Sequence, residues 1–178
     1  MTVFYCAKCG AELSAGLVAL PTVPGRLPKE RDRDRRTRLA PSTVPRGRYA
    51  VDPEPWGPPY RPARPGEEAG TGEWTPPLPP GMTGMVFDGP RNTVIVHPDD
   101  VPGLREVRAA GAHWGCCGPL GTGGRNMACG CGTLVGTLVA DCMGPYELHL
   151  DPVRVYLYES ERPAPGAEDA DDAEDAAG

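Results

Sequence analysis

The chain has 178 residues, of which seven are cysteine and 23 are proline, and its formal net charge is −6. Leu, Ile, Val and Phe account for 30 residues, about 17% of the chain, below the roughly 20% at which a large apolar core becomes doubtful. We therefore expect a small packed part that needs a metal or disulfide to hold it together. No apolar run is long enough to cross a membrane.

The first residues, MTVFYCAKCGAELS, lack a basic segment followed by an apolar one, so no secretory signal is visible and we expect a cytoplasmic protein. Cytoplasmic thiols stay reduced, and seven cysteines cannot all pair as disulfides. We therefore interpret neighbouring cysteines as metal ligands or redox groups. The abundance of Arg, Ala, Gly and Pro, with few Lys and Asn, indicates a GC-rich bacterial genome.

The N-terminal part divides into two regions by composition. Residues 1–24 contain the motif CAKCG, a predicted zinc knuckle. The segment LVALPTV follows it and predicts a short strand. Residues 25–82 begin with a charged segment (25–40), expected to be a solvated and mobile basic arm. They continue as a proline-rich insertion in which we expect polyproline II or irregular structure and no helix or central strand. Trp56, Tyr60 and Trp74 are expected to dock on the folded body.

Residues 83–159 are the predicted β-rich body with a second cysteine cluster. The segments 92–98, 133–142 and 146–159 predict strands, since they are β-branched or alternate apolar and polar residues, and Asp151-Pro152 predicts a bend. HPDD (97–100) predicts a turn with a cap, and 101–113 has room for a turn or two of helix. Residues 160–178 predict a disordered acidic tail. The expected fold is thus a small, mostly-β body with a long proline-rich irregular insertion.

The stretch GCCGPLGTGGRNMACGCG has the glycine content of a phosphate-binding loop. Gly118 and Gly123 have the spacing of a Walker motif, but Gly124 and Arg125 follow where a lysine and a hydroxyl residue are required. We therefore expect no bound nucleotide.

The same stretch also allows a nucleophilic cysteine. His113 precedes Cys116 by three residues, and a histidine can lower the pKa of a thiol. Four cysteines close together in the sequence are hard to explain as one nucleophile and a resolving partner. We therefore expect no catalytic residue and no enzyme activity.

A metal site accounts better for the cysteines. CAKCG supplies Cys6 and Cys9, and CGCG supplies Cys129 and Cys131, which together make the four soft ligands that Zn²⁺ takes in a tetrahedron. In both motifs a glycine follows the second cysteine, and an apolar residue lies on the strand that leaves the knuckle. On these residues the chain resembles the zinc-ribbon class, in which knuckles on two β-hairpins share one zinc ion. The CxC half departs from the usual CxxC.

The remaining cysteines are Cys116, Cys117 and Cys142, and several roles for them are open. One of the adjacent pair could replace a ligand in the first site, or Cys116 or Cys117 could build a second site with Cys142 and His113. Cys142 could instead be a buried apolar thiol. Adjacent cysteines rarely bind one zinc together, so we expect one of Cys116 and Cys117 to be structural only. Asp141 is a candidate hydrogen-bond acceptor behind the ligands.

The wider pattern of residues 115–152, GCCG followed by CGCG, DC and ELHLDP, resembles one carried by uncharacterised cysteine-rich proteins of actinobacteria. The resemblance implies that these residues form a unit. It implies no particular activity.

The function that follows is a non-enzymatic, zinc-stabilised small protein that serves as a protein-interaction or structural module, with a protein as its expected partner. The arginine-rich arm leaves open a nucleic-acid-binding zinc-ribbon protein, although the acidic balance counts against it. A thiol-redox protein is the second alternative.

Overall fold

The computed structural model describes residues 1–25, 32–67, 77–108, 114–142 and 144–159. This part of the chain is mostly β, as the sequence predicts, and its little helical structure includes the 3₁₀ turn Pro98–Asp100. In chain order the strands are β1 (Thr2–Cys6), β2 (Val18–Ala19), β3 (Arg48–Asp52), β4 (Tyr60–Pro62), β5 (Met85–Phe87), β6 (Thr93–Val96), β7 (Arg105–Glu106), β8 (Met127–Ala128), β9 (Leu134–Val139), β10 (Glu147–Leu150) and β11 (Val155–Glu159).

The strands form three open sheets. The largest has seven strands in the order β2-β3-β6-β10-β9-β8-β7, and β2 and β3 are its parallel pair. The first and last strands pair with each other antiparallel as a separate sheet, β1-β11, and β4 pairs with β5. The strands predicted within 92–98, 133–142 and 146–159 are confirmed as β6, β9, β10 and β11, with the expected bend between the last two.

Strand β10 lies in the middle of the large sheet, and all four of its residues are buried. Because successive side chains of a strand point to opposite faces, Leu148 and Leu150 face one side while Glu147 and His149 face the other. The apolar side packs against the β1-β11 sheet. The residues of this main core are Phe4, Cys6, Leu13, Leu17, Tyr49, Val94, Val96, Val101, Cys129, Val135, Leu148, Leu150 and Val155.

The proline-rich segment covers the other side of the large sheet. The indole of Trp56 stacks on the imidazole of His149, with ring centroids 4.2 Å apart, and its Nε1–H donates to the carbonyl oxygen of Gly121 at 3.0 Å. The hydroxyl of Tyr60 donates to the carbonyl oxygen of Thr122. The predicted docking of Trp56 and Tyr60 is therefore confirmed, and Trp74 lies outside the described residues.

The expectation that no central strand runs through the proline-rich insertion is wrong. Strand β3 lies between β2 and β6 in the large sheet. The reason is local, because the five residues RYAVD contain no proline and lie between Pro45 and Pro53. Tyr49 and Ala50 are buried, so this strand is part of the folded body.

Two further expectations meet a different outcome. Residues 101–108 contain no helix, and Arg105–Glu106 instead forms the edge strand β7, paired with β8, since Pro102 and Gly103 disfavour a helix at this point. The charged segment is not fully solvated over residues 32–40, because Arg33 is buried and its guanidinium donates to the carbonyl oxygen of Arg38 at 3.1 Å. Residues 26–31, 109–113 and 160–178 lie outside the described part.

The predicted turn at HPDD is confirmed. His97 caps the 3₁₀ turn, with its Nδ1 accepting from the backbone N–H of Asp99 at 3.1 Å. Asp100 accepts from Arg46 and from the backbone N–H of Gly47, which ties this turn to the segment before β3.

Candidate metal centre

The first cysteine pair lies on a tight reversal of the chain after β1. The backbone N–H of Cys6 donates to the carbonyl oxygen of Ala11, and the N–H of Gly10 donates to that of Cys6, both at 2.9 Å. Gly10 has φ of 71°, a left-handed conformation that glycine adopts without strain. The reversal returns the chain past Cys6, so that Cys9 lies beside it.

The second pair lies on an equivalent reversal, although its motif is one residue shorter. The N–H of Cys129 donates to the carbonyl oxygen of Thr133 at 2.9 Å, and the N–H of Gly132 donates to that of Cys129 at 2.8 Å. Gly132 has φ of 87°. The CxC motif therefore reverses the chain as the CxxC motif does, in a turn one residue shorter that also ends at a glycine with positive φ.

The two knuckles also match in the groups that contact sulfur. The backbone N–H of Ala11 donates to the sulfur of Cys9, and that of Thr133, at the equivalent position, donates to the sulfur of Cys131. Two residues further along the chain, Leu13 and Val135 are both buried in the main core. The knuckles thus share an equivalent backbone donor to sulfur and an equivalent anchoring side chain.

The structure brings all four predicted ligands together. Their sulfurs lie within 4.8 Å of one another, and the close contacts cross between the knuckles. Cys6 Sγ is 3.8 Å from Cys131 Sγ, and Cys9 Sγ is 3.7 Å from Cys129 Sγ. Four sulfurs bound tetrahedrally to one zinc at 2.3 Å would be about 3.8 Å apart. The four cysteines are free thiols and can hold a metal ion.

The sheets explain why residues so distant in sequence meet. Cys6 is the last residue of β1 and is paired with Val155 of β11, and Cys129 follows β8 directly. Cys6 and Cys129 are buried in the main core, whereas Cys9 and Cys131 are exposed. Each knuckle therefore contributes one inner and one outer sulfur.

The four thiols differ in how readily they lose a proton. Burial raises the pKa of Cys129 to about 12, whereas hydrogen bonding with the side chain and the backbone N–H of Thr133 lowers the pKa of Cys131 to about 6. A metal ion that binds here would have to displace the proton of Cys129.

The glycines of CGCG provide a matched test of this geometry. Gly132→Ala forces a side chain into a left-handed conformation, and we expect it to cost about 1–2 kcal/mol and to weaken metal binding by about tenfold or more. Gly130→Ala is the control, because a Cβ there meets no atom within 4 Å. Competition for zinc with a chromophoric chelator measures both variants, and equal affinities would contradict the proposed turn.

The other three cysteines form a separate cluster. Cys116 Sγ is 3.0 Å from Cys142 Sγ and 3.4 Å from Cys117 Sγ, and the carboxylate of Asp141 belongs to the same group. Neither Cys116 nor Cys117 is part of the four-cysteine group, so a replacement of one of its ligands is not what the structure shows. His113 lies outside the described residues.

Of the expectations for individual residues of this cluster, the one for Asp141 is confirmed and the one for Cys142 is wrong. Asp141 is confirmed as a hydrogen-bond acceptor, since its Oδ2 accepts from the N–H of Cys117 at 2.9 Å and of Gly118 at 3.1 Å. Cys142 is half-buried beside Cys116, which makes the interpretation as a buried apolar thiol wrong. Both Cys116 and Cys117 are exposed, and both sulfurs take part in the cluster.

A buried polar group that the sequence did not reveal lies beneath Trp56. His149 Nε2 is 2.8 Å from Glu147 Oε1, and His149 Nδ1 is 3.0 Å from Thr93 Oγ1. Glu147 and His149 alternate with leucines in β10, a pattern that predicts a solvent-facing side of the strand. The proline-rich segment excludes solvent from that side, and Trp56 was the sequence signal that pointed to it.

Comparison of the chain with protein-family models, curated proteins and solved structures found no match. Within the described residues, no helix has the length and apolar character needed to cross a bilayer. The interpretation of the metal centre therefore depends on its own geometry and chemistry.

Proposed function

We propose that the chain is a non-enzymatic, zinc-stabilised β protein of the reducing cytoplasm, related in design to the zinc ribbons. One zinc ion would be bound by Cys6, Cys9, Cys129 and Cys131. The crossed sulfur contacts of 3.7 and 3.8 Å carry the proposal, because they match the edge of a tetrahedral four-thiolate zinc site. An all-cysteine site with no open position is typical of structural zinc.

The position of the site supports a structural role. Its ligands are separated by 120 and 125 residues within the crossed pairs, so zinc would join the two sheets of the main core. A chain with few large apolar residues needs such a link, since the free energy of metal binding adds directly to that of folding.

The exposed apolar surface supports a protein as partner. In β11, Tyr156, Leu157 and Tyr158 are 49%, 51% and 62% exposed. Apolar groups on an exposed strand are typical of sites that receive another chain. In contrast, arginines such as Arg46 and Arg125 are engaged by carboxylates, at 2.5 Å in both cases, which counts against a surface for phosphates.

Metal content combined with cysteine protection tests the proposal. We expect purified protein to contain zinc, and we expect Cys6, Cys9, Cys129 and Cys131 to resist alkylation until a chelator is added, as read by mass spectrometry. A metal-free protein that is stably folded, or rapid alkylation of Cys9 and Cys131 in zinc-loaded protein, would contradict it.

A further inference from the structure

We propose that Cys116, Cys117, Cys142 and Asp141 form a second zinc site, open to solvent, whose ion exchanges while the ion of the four-cysteine site stays bound. The donors come from two loops that the fold brings together, and the four ligand atoms lie within 4.8 Å of one another. The site lies outside the four-cysteine group and does not depend on it.

The loop that carries the adjacent cysteines is fixed by the backbone. Gly115 N–H donates to the carbonyl oxygen of Gly118 at 2.8 Å, which closes a turn with Cys116 and Cys117 at its tip. Directly after the turn, the carbonyl oxygen of Pro119 accepts from the N–H of Ala140 at 2.9 Å. The turn is thereby attached to the segment that follows β9 and contains the other two donors.

Close approach of the two loops requires glycine at two positions. A Cβ on Gly115 would lie 2.2 Å from Asp141 Oδ2, and a Cβ on Gly118 would lie 2.4 Å from the carbonyl oxygen of Ala140. Asp141 is fully buried and accepts from two backbone N–H groups of the turn. The two loops are therefore positioned by hydrogen bonds and steric fit before any ion binds, which lowers the cost of ordering them. The sulfurs, 3.0 and 3.4 Å apart, would have to separate to the roughly 3.8 Å of a tetrahedral zinc site.

The donor set indicates the class of ion. Three sulfurs and one carboxylate suit Zn²⁺, which accepts both thiolate and carboxylate ligands in a tetrahedron. Cu(I) is selected by soft thiolate and thioether ligands alone, so the carboxylate favours zinc.

Exposure distinguishes the two sites. The four-cysteine site has two sulfurs, on Cys6 and Cys129, buried in the main core, and only its outer sulfurs, on Cys9 and Cys131, are exposed. In the second site the sulfurs of Cys116 and Cys117 are exposed and Cys142 is half-buried, so an incoming ligand can reach the ion from solvent. Replacement of a zinc ligand by an incoming thiolate or chelator needs such access. We therefore expect the zinc ion of the second site to exchange with solvent and the zinc ion of the four-cysteine site to stay bound.

Zinc release from the full chain tests the assignment. Protein purified anaerobically and loaded with zinc is mixed with excess chromophoric chelator, and we expect two ions per chain, one released fast and one slowly. The Cys116→Ser/Cys142→Ser variant should lose the fast ion and keep the slow one. Asp141→Asn should lower the zinc affinity of the second site by about tenfold or more.

The matched control is Gly132→Ala, which keeps all four ligands of the four-cysteine site and should speed release of the slow ion only, so failure of that site is distinguishable from failure of this one. A single ion per chain whose release is unchanged in Cys116→Ser/Cys142→Ser would overturn the proposal. Recovery of a Cys116–Cys142 disulfide from the zinc-loaded protein would also overturn it, since the cluster would then be a redox pair.

Discussion

Removal of zinc from the four-cysteine site is expected to unfold the protein. A structural zinc site contributes roughly 10–16 kcal/mol of binding free energy, which is as large as the whole net stability of a typical domain, about 5–15 kcal/mol. With few large apolar residues, the chain has little other stabilisation to offset that loss. Chelator treatment should abolish the near-UV circular dichroism of Trp56, which is buried against the large sheet, and of Tyr49, which is buried in the main core.

Single substitutions at this site should have the same effect as chelation. Cys129→Ser removes an inner ligand and leaves a hydroxyl in the main core, so we expect no folded protein at any accessible zinc concentration. Cys117→Ser is the control, since Cys117 is exposed and is not part of the four-cysteine group. Circular dichroism and zinc content report on both variants. A Cys129→Ser variant that melts at the temperature of the unsubstituted protein would disprove the structural role.

Glu147→Ala is expected to be the most destabilising change away from the metal sites. Glu147 and His149 are 0% and 1% exposed, and their side chains are 2.8 Å apart. Removal of one partner of a buried ionic or hydrogen-bonded pair leaves the other without compensation, at a cost of about 3–5 kcal/mol. Urea unfolding of the zinc-loaded protein should show this loss as a lower midpoint.

Two further variants separate the pair from simple packing. Glu147→Gln keeps a hydrogen-bonding oxygen, and we expect it to cost less than Glu147→Ala. A double change to apolar residues, Glu147→Met with His149→Leu, should cost less than Glu147→Ala alone, because neither polar group remains unpaired. The exposed Glu106, changed to Ala, serves as a surface control. If Glu147→Ala and Glu106→Ala unfold at the same urea concentration, the pair has no energetic role.

Where the physical rule is local, the sequence predicted the structure. In the sequence, Val155 and Leu157 alternate with Tyr156 and Tyr158, and this alternation specifies a strand, although Leu157 is exposed in the structure. The β-branched run Thr93–Val96 specifies a strand in the same way. The cysteine-glycine knuckles are equally local. Their backbone hydrogen bonds lie within six residues, and the glycine at a positive φ ends each turn. The four cysteines could be grouped on this ground alone.

Features that depend on contacts between distant segments could not be predicted from the sequence. The high proline content of the whole insertion predicts no central strand there. Strand β3 forms nevertheless, because strand pairing depends on the five residues Arg48–Asp52, which contain no proline. The buried position of Glu147 follows from Trp56, which lies in a different segment and covers that side of β10. The contact between Cys116 and Cys142 likewise depends on the turn at 115–118, which packs closely against Asp141. The spacing of the cysteines in the sequence does not reveal this packing.

The pairing of the first strand with the last has a consequence for synthesis of the protein. Cys6 and Cys9 leave the ribosome more than a hundred residues before Cys129 and Cys131, a delay of roughly 6–25 s at about 5–20 residues per second. Strand β1 also waits for β11 to provide its partner. The folded state is therefore reached only after the residues of β11 have been made, and until then the thiols of Cys6 and Cys9 depend on a reducing environment to stay available for a metal ion.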